Sequence, residues 1–388
     1  MNDIGPLAGI TVIEMAAIGP VPFAAMVLAD LGADVIRVDR LGQPTASFPI
    51  DPTKDVLSRN RRSIALDLKH PEAREAVLEL CNGASALIEG FRPGVMERLG
   101  LGPEPCLRRN PALVYGRMTG WGQTGPLATT AGHDLNFIAL SGCLAAIGRS
   151  SEPPVPPLNF VGDYGGGAMS LLAGVLAALL SAQRTGRGQV VDAAIVDGSA
   201  LFLSAFMGLR QMGFWRTERG TNLLDSGAYF YDCYATRDGR YLAVGALEPK
   251  FFAEFLVRLG LDPAEWPQDA PEHWPRLRIE LTRIIRQRDQ AQWMEVFEGS
   301  DACVAPILSM EEAPAHPHNR ARGVFVEQFG MVQPAPAPRF SATPGAIRSP
   351  PPRIGQHTRQ ILLDQGYSNP TVDELLRTGV AGAPADEA

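Results

Sequence analysis

Short apolar runs alternate with helix-like segments along the first half of this 388-residue chain. Strands are predicted at residues 10–15, 33–38, 63–68, 85–89 and 113–118, and helices at 22–31 and 71–81. A helix at 168–182 and a strand at 189–194 extend the alternation. Strands separated by helices favour right-handed crossovers, which join parallel strands. The sequence therefore predicts an α/β domain built on a mainly parallel sheet.

The pattern changes after a long helix predicted at residues 199–212. Two strands at 229–236 and 241–246 flank an Asp-Gly pair that suits a tight hairpin turn. Further helices are predicted at 249–259, 274–286 and 290–298, and a proline-rich stretch at 334–352 is expected to be extended. We expect four segments: 1–195 as the first part of a large domain, 196–225 as a linker helix, 226–312 as a small α+β domain, and 313–388 as a linker that returns to the large domain.

The chain carries few signals for export or membrane insertion. It opens without a basic and apolar leader, and its last residues carry no targeting address. The apolar stretch at 169–182 is too short to span a bilayer and is predicted to be a core helix. Five scattered cysteines, without the spacing of metal ligands, suit free thiols in a reducing compartment. A cytoplasmic location is expected.

Basic residues cluster locally although the formal net charge is −7. An acidic chain is a poor nucleic-acid binder, so neither nucleic acid nor a membrane is expected as a partner. Several arginines and a lysine follow strand ends, where α/β sheets bind ligands, and they suit phosphate oxygens. The alternative is a solvated surface. The set comprises Arg37, Arg40, Arg59, Arg61, Arg62, Lys69, Arg92 and Arg98.

The turn after the first strand excludes a nicotinamide or flavin site. It contains Gly19 but lacks the three glycines that bring a backbone close to a pyrophosphate. Pro20 and Pro22 also have no N–H to donate. No metal site is predicted either, because His316 and His318 have no evident third ligand.

Three segments hold candidate proton-transfer groups. His133 lies between Gly132 and polar neighbours; its imidazole can accept a proton near neutral pH, and the adjacent Asp134 could orient it. A structural histidine is the alternative. Glu248 lies between a predicted strand and a helix that opens with Pro249, where a favourable first-turn charge is the simpler explanation.

Asp163 precedes three consecutive glycines and an apolar helix. A position at the helix N-terminus would favour its negative charge, and the N–H groups of Gly165 and its neighbours could hold an enolate oxygen. The alternative is a simple helix cap. A cap would lower the pKa of Asp163 and weaken it as a base, so desolvation by the substrate would have to raise it again.

These segments together resemble family III CoA-transferases and, within that family, the α-methylacyl-CoA racemases. The resemblance extends from about residue 5 to about residue 365. It rests on the strings MTGWGQTGP, AGHDLNF, PPLNFVGDYGGG, GQVVDAAIVDGS, NLLDSGA, AVGALEP and DACVAPIL, which occur in the family order.

The resemblance implies an interlocked homodimer in which each subunit has a large Rossmann-like domain and a small domain. The active site would lie between one subunit's large domain and its partner's small domain. His133 and Asp163 would be the acid/base pair, with Glu248 beside His133. Ser226 occupies a position where close relatives are expected to have glycine, which affects the shape of the acyl pocket. Coenzyme A binding is implied for Arg40, Leu66, Asp67, Leu68, Lys69, Arg92, Arg98, Gly132, Asp134, Leu135, Asn136 and Phe137.

The expected reaction is epimerisation of (2R)- and (2S)-2-methylacyl-CoA thioesters by 1,1-proton transfer through an enolate, without metal or redox cofactor. In the transferase alternative, Asp163 is a nucleophile and coenzyme A moves between a thioester and a carboxylic acid. A non-catalytic acyl-CoA-binding protein is a third possibility. The sequence leaves the acyl chain open, and a specialised epimerase such as one for bile-acid precursors would use the same chemistry.

Overall fold

A seven-stranded sheet forms the centre of the larger of two structural units. This computed structural model describes residues 5–41 and 51–384. The larger unit comprises Met1–Ser141, Leu158–Phe202 and Arg322–Ala388, and the smaller unit comprises Gly142–Pro157 and Leu203–Ala321. This division differs from the predicted segments, because residues 142–157 join the smaller unit and residues 196–202 stay with the larger one.

Six strands of the larger unit run parallel in the order β3-β2-β1-β4-β5-β6. This is the strand order of dinucleotide-binding sheets, and the predicted α/β class is confirmed. Neighbouring residues of a strand point to opposite faces, so that Val12 and Ile13 enter different cores. The strands are β1 Thr11–Met15, β2 Asp34–Arg40, β3 Arg61–Leu66, β4 Ala86–Glu89, β5 Val114–Thr119 and β6 Val190–Ala194.

Helices cover both faces of this sheet. Residues of α2 and α4 pack on one face, and residues of α1 and α6 pack on the other. These helices are α1 Pro20–Asp30, α2 Pro71–Gly83, α3 Val95–Arg98, α4 Pro103–Arg109, α5 Asp134–Ser141, α6 Met169–Thr185 and α7 Ile195–Leu201.

The apolar helix α6 is longer than predicted, because a π-helical segment at Phe160–Ala168 runs directly into it. The combined helix, Phe160–Thr185, has 26 residues and a mean hydropathy of 1.7, enough by length and composition to cross a membrane. The prediction that this region is too short to span a bilayer was therefore wrong. Half of the most apolar part of this helix is buried, and Leu171 and Val175 lie in the core of the larger unit. Core helices of soluble proteins have these same properties.

Four of the arginines predicted to bind phosphate are instead paired inside the larger unit. Arg61 is buried and donates to Glu14 at 3.1 Å, and Arg59 is buried against Asp30. Arg37 pairs with Asp39, and Arg62 pairs with Asp34 and Asp364. The carboxylate partners of Arg59, Arg61 and Arg62 lie 28 or more residues away in sequence, so spacing did not reveal them, whereas Asp39 lies two residues from Arg37 on the same strand. The phosphate-binding prediction for Arg37, Arg59, Arg61 and Arg62 was wrong.

The smaller unit contains an antiparallel sheet in the order β7-β8-β9 with helices around it. The predicted hairpin is confirmed as β7 and β8. The predicted long helix at 199–212 is broken, because α7 ends at Leu201 and α8 begins at Ser204. The elements are α8 Ser204–Gln211, β7 Tyr231–Ala235, β8 Tyr241–Gly245, α9 Pro249–Leu259, α10 Trp274–Ile285, α11 Gln290–Phe297, β9 Val304–Pro306 and α12 Pro317–Arg322.

The last part of the chain returns to the larger unit. Arg59 donates to Gln333 at 2.9 Å, which fixes this return segment to the core ion pairs. A final strand pairs antiparallel with β3 and completes the sheet. The elements are β10 Phe325–Gln328, β11 Met331–Pro334, α13 Thr358–Asp364, α14 Asn369–Arg377 and β12 Ala381–Gly382.

We predict that Arg61→Ala destabilises the protein far more than Arg62→Ala. Burial raises the pKa of Glu14 and lowers that of Arg61, and Oε1 of Glu14 is buried without a hydrogen-bond partner in the described structure. Removing Arg61 leaves a buried, uncompensated carboxylate, at about 3–5 kcal/mol. Removing the partly exposed Arg62 costs about 1 kcal/mol or less. Urea unfolding of both variants measures the difference, and equal losses would contradict it.

Candidate functional site

A cavity of about 400 Å³ opens in the larger unit at the carboxyl ends of the parallel strands. Its walls include residues 18–21 after β1, residues 90–93 after β4, and residues 118–121 at the end of β5. Strand β1 pairs with β2 on one side and β4 on the other, so the chain reverses its winding here. Open α/β sheets bind ligands in the crevice outside such a reversal point.

His133 reaches this cavity from the residue just before α5. Its N–H donates to Oδ1 of Asn136 at 3.0 Å, and its carbonyl accepts the N–H of Asn136 at 2.8 Å. Phe137 packs edge-to-face on Trp121, with ring centroids 4.7 Å apart. A Cβ at Gly132 would lie 2.6 Å from the Phe137 ring, so glycine is required for this close packing. The loop that carries His133 is therefore held by its own hydrogen bonds and by the packing of the buried Phe137 on Trp121.

Asp163 lies in the π-helical segment. The sequence analysis had predicted a position at a helix N-terminus, and that prediction was wrong. The N–H of Tyr164 donates to the carbonyl of Asn159 at 3.1 Å, a bond that spans five residues. Such π-helical turns occur frequently at functional sites. The Asp163 side chain caps no backbone N–H; Nδ2 of Asn159 donates to its Oδ2 at 3.3 Å. The carboxylate lines the same cavity as His133.

The expected lowering of the Asp163 pKa was wrong. Burial raises this pKa, the Asn159 hydrogen bond lowers it, the charge of Asp134 raises it, and the charge of His133 lowers it. The net direction is upward. Because the carboxylate is not a cap, the helix dipole argument fails. Burial, together with the charge of Asp134, raises the pKa without the substrate that the prediction had invoked.

Asp134 does not orient the imidazole of His133. Within the described structure its carboxylate makes no ion pair with His133, and Oδ1 instead accepts the N–H of Asp163 at 2.6 Å. The residue is 8% exposed. Burial raises the pKa of Asp134, while hydrogen bonds from the N–H groups of Asp163 and Gly162 lower it. The side chain of Asp134 binds the backbone of the π-helical segment, so little of its surface is left for the predicted contact with coenzyme A.

The three glycines after Asp163 make room for α7. A Cβ at Gly166 would lie 2.4 Å from Oγ of Ser199, and a Cβ at Gly198 would lie 1.9 Å from the carbonyl oxygen of Gly166. The glycines lie inside the helix, where their N–H groups belong to its hydrogen-bond ladder. The interpretation of Gly165, Gly166 and Gly167 as donors to an enolate was therefore wrong.

The remaining predicted coenzyme A residues differ in exposure. Arg40, Lys69, Arg92 and Arg98 are exposed, and none forms an ion pair with another described residue. Arg92 lines the cavity, whereas Leu66 is buried in the core and can offer only its backbone. Asp67 and Leu68 are half-buried beyond the end of β3, and Leu135 and Asn136 are exposed on α5.

Glu248 belongs to the smaller unit, where it immediately precedes α9 after the end of β8. The predicted junction of strand and helix is confirmed. Its side chain makes no capping hydrogen bond, and its charge acts on the nearby thiol of Cys303: burial raises the pKa of Cys303 first, and Glu248 raises it further. Its predicted role beside His133 stays a prediction.

Two residues near the cavity escaped the sequence reasoning. Glu89 is buried at the end of β4, where it accepts the N–H of Phe91 at 2.7 Å and pairs with Arg117 at 3.1 Å. Burial raises the pKa of Glu89 to about 7 despite both contacts. Asn159, the donor to Asp163, is the other. The sequence indicates Glu89 only by its position at the end of a predicted strand, next to Gly90. Its ion-pair partner, Arg117, lies on the next strand, β5.

The described residues contain no group of three or more histidine, cysteine, aspartate or glutamate side chains placed to hold a metal ion.

Comparison with known proteins identifies the family of this chain. Residues 7–358 match the family described as CoA-transferase family III. The chain belongs to that family. A crystal structure of a CAIB/BAIF family protein from Brucella suis has a TM-score of 0.81 and 25% sequence identity, and the match covers 93% of this chain and all of that one.

Two family relatives carry informative names. An α-methylacyl-CoA racemase from Mus musculus is 44% identical over 375 residues, which is 95% of this chain and 96% of the relative. A succinyl-CoA:glutarate CoA-transferase from Homo sapiens is 31% identical over 407 residues, 98% of this chain and 91% of the relative. The chain is thus more similar to this racemase than to this transferase of the same family.

Gly19 packs directly against the side chain of Asp163. Its φ is 72° and its ψ is −117°, a region almost reserved for glycine, and a Cβ would lie 2.8 Å from Oδ2 of Asp163. We predict that Gly19→Ala destabilises the protein by about 1–3 kcal/mol. Gly186→Ala, with φ of 69° but open space around the Cβ, is the control and should cost about 1 kcal/mol. Chemical denaturation compares them, and a smaller loss for Gly19→Ala would contradict the crowding at Asp163.

Proposed function

We propose that this protein is an isomerase that epimerises (2R)- and (2S)-2-methylacyl-CoA thioesters by 1,1-proton transfer. The relative named as an α-methylacyl-CoA racemase, at 44% identity over nearly the whole chain, supports this reaction. The observation that carries the proposal is the cavity in the larger unit. It presents two proton-transfer groups, His133 and Asp163, from two separate chain segments.

Epimerisation requires one group to remove the α-proton and a second group to deliver a proton to the opposite face. His133 is held before α5, and Asp163 is held in the π-helical segment, so that each is positioned independently. A half-buried carboxylate with a raised pKa accepts a proton more readily than an exposed one, and imidazole exchanges protons near neutral pH. Each group is the base for one epimer and the acid for the other.

Removal of the α-proton breaks the C–H bond and moves its electron pair into the thioester carbonyl, which forms an enolate. The N–H groups of Asp134 and Leu135, at the start of α5, donate to no described acceptor, whereas the N–H groups of Asn136 and Phe137 donate to the carbonyl of His133. These first N–H groups of α5 lie beside His133 and can donate to the enolate oxygen. The opposite group then protonates the α-carbon. The proton balance closes without metal or redox cofactor.

The coenzyme A portion of the substrate supplies phosphates to the exposed cations around the cavity. Arg92 lines the cavity itself, and guanidinium groups bind phosphate oxygens in a forked geometry. Arg40, Lys69 and Arg98 are the other exposed cations of the predicted set. With Arg37, Arg59, Arg61 and Arg62 committed to internal ion pairs, these four carry the phosphate-binding role.

A homodimer belongs to the proposal. Several large apolar side chains of the larger unit are exposed in the isolated chain, among them Leu140 at 63%, Phe160 at 60% and Leu201 at 69%. Exposed apolar surface of this kind marks an interaction site. In the proposed dimer the smaller unit of the partner completes the cavity and brings its copy of Glu248 beside His133.

The transferase alternative rests on the relative from Homo sapiens at 31% identity. There Asp163 would attack the thioester as a nucleophile. A carboxylate with a raised pKa is a better nucleophile as well as a better base, so the state of Asp163 alone does not choose between the two reactions. The second proton-transfer group, His133, favours the racemase.

We predict that His133→Ala and Asp163→Ala each lower the rate of epimerisation by at least about 100-fold, the usual contribution of a general acid or base. Chiral separation of the product thioesters measures the rate, and circular dichroism shows that both variants fold. His273→Ala, an exposed histidine of the smaller unit, is the control and should keep the native rate. A variant that still epimerises would remove its residue from the acid/base pair.

We predict that Glu248→Gln shifts the pH dependence of the rate. The shift is expected for the direction of epimerisation in which the imidazolium of His133 donates the proton. Without the neighbouring carboxylate the charged imidazole is less stable, so the rate is expected to fall at a lower pH as pH rises. Initial rates for each epimer between pH 5 and 9 measure the profile. Superimposable profiles for the two proteins would show that Glu248 has no such role.

A further inference from the structure

We propose that Asp134 is a positioning residue that fixes Asp163 relative to His133 and, through its negative charge, maintains Asp163 as a proton acceptor. This inference rests on the proposed epimerase function, because it assigns a task to Asp134 within the same acid/base pair. Asp134 is not itself expected to exchange protons with the substrate.

The first step of the argument is connectivity. Asp134 is the residue after His133 and the first residue of α5. Its Oδ1 accepts the N–H of Asp163 at 2.6 Å, a short bond that joins α5 to the π-helical segment. One carboxylate therefore links the backbone of both proposed catalytic groups. A shift of the π-helical segment relative to α5 would break this bond before it moved Asp163 away from His133.

The second step is the closeness of the contact. A Cβ at Gly162 would lie 2.2 Å from Oδ1 and 2.6 Å from Cγ of Asp134. No side chain fits between the carboxylate and the helix backbone. Glycine at position 162 therefore serves the Asp134 contact.

The third step concerns the charge. Asp134 is 8% exposed, and its Oδ2 is buried with no hydrogen-bond partner among the described residues. Burying a carboxylate with one oxygen unsatisfied is costly. An asparagine would accept the same backbone hydrogen bonds without desolvating a charge. The negative charge is therefore unnecessary for the tether and requires a second explanation.

The effect on Asp163 supplies that explanation. Burial is the largest cause of the raised pKa of Asp163, and the charge of Asp134 raises it further, against the lowering by Asn159 and His133. The elements packed around the π-helical segment carry other charged groups. Three of them have partners elsewhere: Asp30 on α1 pairs with Arg59, Arg117 on β5 pairs with Glu89 and Glu97, and Asp192 on β6 accepts the N–H of Gln123. The other two are exposed, Asp197 on α7 and Arg184 in the last turn of α6. Asp134 is thus the anion that acts on Asp163.

The test compares Asp134→Asn with the native protein in the direction in which Asp163 removes the proton. The amide keeps a hydrogen-bond acceptor of the same size, and the charge is lost. The rate of this direction falls as pH decreases, since protonated Asp163 cannot act as a base. In the variant the pKa of Asp163 is lower, so this acidic limb should move to lower pH, and the plateau rate should drop several-fold because the base is weaker.

A second pair of variants tests the tether. Asp134→Ala removes both bond and charge, and Gly162→Ala forces the helix away from the carboxylate. Each should lower the rates in both directions on the order of 100-fold, the effect of misplacing a catalytic group by about 1 Å. Asp262→Asn is the control: its carboxylate also accepts a backbone N–H, from Ala264 at 3.0 Å in the smaller unit, and its profile should match the native one.

The outcomes separate the two levels of the account. If native protein exchanges no α-proton, the proposed function fails. If native protein epimerises but Asp134→Asn leaves the acidic limb in place, the electrostatic role of Asp134 is overturned. If Asp134→Ala epimerises at the native rate in both directions, the positioning role is overturned. A limb that moves for Asp134→Asn and not for Asp262→Asn supports the inference, whatever the stability of Gly162→Ala.

Discussion

The pairing of β1 with β2 on one side and β4 on the other is the constraint on which the site depends. The chain winds outward from β1 in both directions, so the loops after β1 and β4 diverge and leave a crevice at the carboxyl edge. The buried pair of Glu14 on β1 and Arg61 on β3 holds the β1–β2–β3 side together across β2. The loops after β1, β4 and β5 then form one wall of the cavity, and the residues around α5 and the π-helical segment form the rest.

The cavity acquires its chemistry from two segments that are irregular in different ways. A histidine just before a short helix and an aspartate in a π-helical turn are brought to one cavity by close backbone contacts, at Gly132 against Phe137 and at Gly162 against Asp134. Because glycine permits both contacts, the positions of the two groups are set by backbone packing and not by long side chains. Burial then makes Asp163 more basic than a surface carboxylate.

Most of the regular structure could be predicted from the sequence. The predicted and observed bounds of α9 agree, because Pro249 opens the helix and Gly260 ends it. Strands β1 to β6 and the hairpin of β7 and β8 are apolar runs bounded by glycine, proline or an Asp-Gly pair, and their positions were predicted to within a few residues; β9 to β12 were not predicted. Candidates for the acid/base pair were also identified, since few segments place a histidine or an aspartate among glycines.

The remaining features depend on long-range contacts or unusual local geometry. The partners of Arg59 and Arg61 lie 29 and 47 residues away, so residue spacing favoured a phosphate site over internal ion pairs. The π-helical segment has no distinct apolar period, and Asp163 was therefore assigned to a helix start. The break between Leu201 and Ser204 interrupts an apolar pattern that continues through it. For the two arginines the decisive information lies in a distant segment.

The central claim is that His133 and Asp163 transfer protons on opposite faces of one α-carbon. The most direct measurement incubates each epimer of a 2-methylacyl-CoA separately with the protein in D₂O, without a carboxylic acid acceptor. Both epimers are expected to lose the α-proton and converge on the same mixture. If neither exchanges, and coenzyme A instead moves to a carboxylic acid once one is added, Asp163 acts as a nucleophile and the account is contradicted.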